Sequence, residues 1–169
     1  MKDDDGETAL MFAARDGSLE CVKILAPLEK EMKDEDGWTA LMYAAYYGHL
    51  ECLEFLLNYE AGMQNKDGKT ALMYAAEKNK KECVNALLDK EKDMTDKNGK
   101  TALMLAAEKG KVECVKILLD KEKDMTDKNG RNARWHAIGE CKEMLAKVEQ
   151  CACKDLFDAA HYGCEEHCK

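Results

Sequence analysis

The sequence predicts an all-α fold, a solenoid of helix-turn-helix units joined by β-hairpin-like loops, and three observations carry the prediction. The first is a period of 31 residues: Thr8, Thr39, Thr70 and Thr101 keep this step, as do Gly6, Gly37, Gly68, Gly99 and Gly130. The second is that apolar columns share the step, among them Leu10, Leu41, Leu72 and Leu103, the pairs Ala13-Ala14, Ala44-Ala45, Ala75-Ala76 and Ala106-Ala107, and Cys21, Cys52, Cys83 and Cys114. The third is composition, 46% apolar and 36% charged with the single proline Pro27, which suits a helix-rich globular chain. Fixed columns at such a period mark units that each pack only on their neighbours.

Each unit reads the same way from its first residue. In "GKTALMYAAEKNKKECVNALLDKEKDM", Thr70 stands as N-cap, its hydroxyl available to a helix N–H that has no partner in the helix. Leu72, Ala75 and Ala76 then line one face at helical spacing. Gly17, Gly48, Asn79 and Gly110 follow, all residues that tolerate the left-handed conformation of a helix C-terminus. A second helix turns Cys83, Val84, Leu87 and Leu88 inward. The connector "DKEKDMTDKNG" closes the unit and occurs twice, over Asp89–Gly99 and Asp120–Gly130. A calcium loop is excluded, since with Gly99 sixth Met94 stands first, and with Asp96 first Gly99 stands fourth and Ala107 twelfth, where a bidentate Glu is needed. The connector is therefore a hairpin with polar tips facing water and Met94 anchoring it to the stack. The Lys/Glu runs read as a solvated face.

One domain spans 1–169, with units over about 5–35, 36–66, 67–97 and 98–128, a degenerate fifth over 129–150 and an incomplete sixth over 151–169. In the fifth, Asn132-Ala133 replaces Thr-Ala, Trp135 enters the Met11/Met42/Met73/Met104 column, and Cys141 comes four residues early. In "DLFDAAHYG" (Asp155–Gly163), Ala159-Ala160 and Gly163 repeat the spacing of a first helix. Met1 falls in the hairpin Met column, so the sequence opens inside a unit without a polar capping helix. The expectation is a piece of a longer array, or ends covered by a partner.

A net charge of −8 argues against nucleic acid as partner. No apolar run approaches the roughly 18–20 residues of a membrane span, so no membrane insertion is expected. The acidic start Met1-Lys-Asp-Asp-Asp lacks the apolar core of a signal peptide. A cytoplasmic protein with nine reduced thiols is expected.

The order G-x-T-A-L-M-x-A-A-x-x-G-x-x-E-C-V-x-x-L-L resembles the ankyrin repeat with its T-P-L-H-x-A box, from Met1 to about Gln150. Two departures stand out. The period is 31 rather than about 33, with two residues missing between second helix and hairpin, and Ala and Met replace the Pro and His of the box. Met11, Met42, Met73 and Met104 fill that space with adaptable thioether. The dialect resembles the shortened ankyrin repeats expanded in diplomonad protists, which occur alone or appended to NIMA-related kinases. The resemblance implies a protein-binding scaffold without enzyme chemistry; the alternative is a regulatory or targeting arm of a larger, kinase-like enzyme. A monomer is expected, unless the uncapped ends associate.

Chemical motifs carry little. The tail holds Cys151, Cys153, Cys164 and Cys168 with His161 and His167, but C-x-C, ten residues and C-x3-C match no common zinc spacing. No metal or cofactor is expected. The Cys21/52/83/114 column has the period of core, and His49 reads as a turn residue after Gly48. No phosphate loop or nucleophile elbow is present. The resemblance places hairpins and first helices on a concave surface, which makes specific residues candidates for binding. Trp38 precedes the Thr of the second unit, and Tyr46-Tyr47 follow its box with Tyr43 one turn back. The equivalent positions of the third and fourth units hold Lys69, Lys78, Lys100 and Lys109. Exposed aromatic clusters mark contact sites, so these eight residues form the expected protein-binding face; the alternative is that Trp38 and Tyr46 merely pack on the neighbouring repeat.

Overall fold

A computed structural model describes residues 2–147. The helices are α1 (Ala9–Asp16), α2 (Leu19–Glu29), α3 (Ala40–Tyr47), α4 (Leu50–Glu60), α5 (Ala71–Glu77), α6 (Lys81–Glu91), α7 (Ala102–Glu108), α8 (Val112–Glu122) and α9 (Ala133–His136). Residues 139–147 are helical too. No strand forms among the described residues, only an isolated antiparallel bridge between Lys2 and Thr8. The odd-numbered helices stack in one row, α1 on α3 on α5 on α7 on α9, and α2, α4, α6 and α8 stack in a second row. This is the expected helical solenoid. The sixth unit and the Cys/His tail lie outside the described residues.

The columns explain the two rows. Leu10, Leu41, Leu72, Leu103 and the four box methionines are at most 1% exposed, and the buried alanines beside them let neighbouring inner helices approach closely. Thr8, Thr39 and Thr101 each accept from the N–H of the Met three residues on, at 3.4 Å. Thr70 departs from the expectation, because its hydroxyl makes no capping bond although its backbone occupies the cap. Gly17, Gly48, Asn79 and Gly110 all have positive φ, as their residue types imply. Cys52, Cys83 and Cys114 are buried, whereas Cys21 is exposed. The column is core only where another unit lies in front of it, and α2 has none among the described residues.

The connector is less polar in its setting than in its wording. Lys97 and Asn98 meet water at the tip, but Glu91, Asp96 and their counterparts Glu122 and Asp127 are buried. The expectation that the Lys/Glu runs form a solvated face is therefore corrected at these acids, while Lys90, Lys92, Lys121 and Lys123 are exposed as expected. Glu29, Glu60, Glu91 and Glu122 form a further 31-residue column at the last position of each outer helix. Each carboxylate accepts from the N–H of the box Leu of its own unit, Leu10, Leu41, Leu72 or Leu103, at 2.7–2.8 Å. Glu60 and Glu91 also accept from the preceding unit, at Glu31 N–H (3.1 Å) and Gly62 N–H (2.9 Å). A negative group thus neutralises the positive end of each inner helix and satisfies one of its orphan donors. Burial pushes the carboxyls of Glu60, Glu91 and Glu122 up, and the N–H bonds oppose that rise in part.

Candidate protein-binding face

The hairpins and the inner helices share one face, and a single pairing rule builds it. The residue before each Thr meets the side chain eight positions later, at the end of the inner helix. In the first unit Glu7 pairs with Arg15 at 3.2 Å. In the third and fourth, Lys69 meets Glu77 and Lys100 meets Glu108, each at 2.6 Å. The second unit replaces the ion pair by rings, Trp38 and Tyr46, with centroids 5.6 Å apart.

That replacement nucleates an aromatic slab. Trp38 lies 5.1 Å from Tyr43 and 4.0 Å from Tyr74 of the next unit. Tyr46 reaches Tyr47 at 5.1 Å, and Tyr47 stacks on His49 at 6.4 Å. Lys78 caps the slab with its ammonium 4.3 Å from the Tyr46 ring centre, an arrangement that favours a cation over the ring's negative face. Trp38, Tyr43 and Tyr46 are half-buried, whereas Tyr47 is 45% exposed. Tyr74 is the ring that sequence reasoning missed; its signal was its place 31 residues after Tyr43.

The hydroxyls are committed beneath the slab. Tyr43 shares its single O–H proton between Glu7 at 2.6 Å and Asp34 at 2.8 Å, so burial first and then these two carboxylates push its pKa up. The Tyr74 oxygen accepts from Asn65 Nδ2 at 2.8 Å. In the fifth unit His136 occupies the same column and pairs with Asp127 at 3.0 Å. These bonds fix the hairpin roots and leave the ring edges as the accessible chemistry.

Of the eight candidate residues, Trp38, Tyr43, Tyr46, Tyr47 and Lys78 come together at the junction of the second and third units. Lys69 and Lys100 are engaged by glutamates, and Lys109 stands exposed at the end of α7. His49 acts in a turn, with Nε2 2.9 Å from the Arg15 carbonyl. Among the described residues no group of three or more His, Cys, Asp or Glu is disposed to hold a metal ion. The buried thiols are poor nucleophiles, since burial pushes Cys83 and Cys114 up to about 11.

A family model described as ankyrin repeats matches three times, over residues 1–64, 56–129 and 72–158. The chain belongs to the ankyrin-repeat family. Comparison with curated proteins gives no match. Ankyrin repeats are in general protein–protein interaction modules and typically non-catalytic. No helix among the described residues is long and apolar enough to cross a membrane.

Proposed function

We propose that the chain is a non-enzymatic cytoplasmic scaffold that holds a protein partner on its concave face, centred on the second repeat. The observation that carries this reading is the substitution of rings for an ion pair there. Trp38 and Tyr46 stand where the first, third and fourth repeats use opposite charges. Tyr47 and Lys78 present the exposed edge of the slab, with Lys109 beyond them. Trp38, Tyr43 and Tyr46 hold that edge rigid, and Lys69 and Lys100 shape it through their glutamates. Rigid aromatic anchors of this kind dominate binding energy at interfaces. The 31-residue wording supports placing these repeats with the shortened form expanded in diplomonad protists.

The discriminating variant is Tyr47→Ala with Lys78→Ala, because both side chains are exposed at the edge of the slab and neither belongs to the buried core. Cross-linking and mass spectrometry on captured partners should place contacts on hairpins and inner helices. The double variant should weaken retention by about thirty-fold, as expected for an anchor worth about 2 kcal/mol. Undiminished retention, or contacts confined to α2, α4, α6 and α8, would remove the reading.

A further inference from the structure

The hairpin row changes sign along the stack. The three residues before each hairpin glycine read Asp3-Asp4-Asp5, Asp34-Glu35-Asp36, Asn65-Lys66-Asp67, Asp96-Lys97-Asn98 and Asp127-Lys128-Asn129. The residue after the glycine runs Glu7, Trp38, Lys69, Lys100, Arg131. The first two tips are acidic throughout, whereas in the fourth and fifth the aspartate is buried and Lys97, Lys128 and Arg131 are the exposed charges.

The hairpins are also joined into one rail. Glu35 N–H donates to the Asp5 carbonyl, Lys66 N–H to Asp36, Lys97 N–H to Asp67 and Lys128 N–H to Asn98, at 2.9–3.1 Å. These bonds hold the first two acidic tips side by side, an arrangement that repulsion between like charges opposes. Of the acids here, Glu7 is paired with Arg15 at 3.2 Å. Lys2 bonds the Lys33 carbonyl and Lys33 the Gln64 carbonyl, each at 2.6 Å, and among the described residues no ion pair reaches Asp5, Glu35 or Asp36. The result is a notch of about 270 Å³ lined by Asp5, Glu7, Asp34, Glu35, Asp36 and Tyr43.

The other end carries a second notch of about 350 Å³, in whose lining Glu108 holds Lys100 and Asp127 pairs with His136, beside Arg131 and Trp135. There the Arg131 guanidinium lies 3.8 Å from the centre of the Trp135 ring, which is itself 60% exposed. Stacking of this kind fixes the guanidinium plane and leaves its N–H edge for a carboxylate. Lys97 and Lys128 stand exposed on the tips beside it.

Screening in physiological salt acts over about 8 Å, so the two ends, separated by intervening repeats, present their fields to a partner separately. Opposite fields at two ends of one face orient what binds there. We propose that the hairpin rail docks one extended protein segment in a fixed direction: a basic block over the first two hairpins, an apolar residue on the aromatic slab, and an acidic block over the last three. This rests on the concave-face reading above and names the chemistry of its partner.

Two synthetic peptides test it, identical in composition, one with a Lys/Arg block, a central Phe-Leu and a Glu/Asp block, the other scrambled. By fluorescence anisotropy with the full chain, the block peptide should bind at least ten-fold tighter. Glu35→Lys with Asp36→Lys should abolish that advantage, and Asp4→Lys with Asp5→Lys supplies a second variant should the first fail to fold. A nitroxide on the basic end of the peptide should broaden amide signals of the first two hairpins and spare those around Lys128. Equal binding of block and scramble, with both lost on Tyr47→Ala, would overturn the directional rail while leaving the concave-face reading intact. Absence of binding by either peptide, broadening around Lys128, or preferential binding of a single-stranded RNA oligomer would also overturn the rail; the cross-linking experiment judges the concave-face reading independently.

Discussion

The buried glutamates show how a single residue can reshape a repeat. Glu91 holds the N–H of Leu72 at 2.7 Å and that of Gly62 at 2.9 Å, so one carboxylate caps an inner helix and ties it to the preceding unit. Glu91→Ala strands two donors, and such charge-assisted bonds are worth about 2–3 kcal/mol, which chemical denaturation should read directly. The pH dependence follows from burial. Because burial raises the Glu91 carboxyl above its ordinary 4.5, the folded state holds its proton more tightly than the unfolded state does. The stability this adds is fully present below 4.5 and is lost as pH rises through the raised folded-state value. Wild-type protein should therefore gain stability on mild acidification from neutrality, and Glu91→Gln should gain less over the same window. Thiol labelling offers a second check. Cys21 is exposed, whereas Cys52, Cys83, Cys114 and Cys141 are buried. Under native conditions peptide mapping should find Cys21 alkylated well ahead of the other four; comparable labelling of Cys83 would contradict the packing.

At the scale of the element, the hairpin is fixed by close approach as much as by its turn. Gly68 has φ of +78° and a Cβ there would lie 2.8 Å from the Lys97 backbone nitrogen, the donor of one rail bond. Gly62 has a similar φ of +79° but open space where a Cβ would stand. Both substitutions by Ala incur left-handed strain of about 1 kcal/mol or more, and only Gly68→Ala adds a clash with backbone. Thermal melts should rank Gly68→Ala as clearly the more harmful, by roughly 1–2 kcal/mol beyond Gly62→Ala. Equal effects would mean that the rail bonds add little.

For the whole molecule, stability should follow position in the stack. Inner helices α3, α5 and α7 each have a neighbour on both sides, whereas α9 has only four residues. At the other end α2 leaves Ile24 and Leu28 about three-quarters exposed, at 70% and 74%. In a chain whose units touch only their neighbours, opening starts where neighbours are few. Hydrogen exchange should find the greatest protection in the third and fourth repeats and the least in the fifth. Uniform protection from α1 through residue 147 would show instead that the stack opens as one unit.

The solenoid was legible in the sequence because it rests on local rules. Thr caps, left-handed Gly and Asn positions, and helical spacing of Leu, Ala and Cys act within a few residues and recur every 31. The eight candidate contact residues were readable from the same register. Register cannot say which polar side chains go inside. Glu91 and Lys92 look alike in a charged string, yet Glu91 is 1% exposed and Lys92 lies in water. The difference arises only when the end of an outer helix meets the start of an inner one 19 residues earlier. Nor does the sequence set how exposed the aromatic cluster is. Trp38 is half-covered because Tyr74 of the following repeat stacks on it at 4.0 Å, a contact made by packing between repeats. Local propensity thus determined the helices and their order, while burial of polar groups and the shape of the candidate face were decided by contacts that exist only once the repeats are stacked.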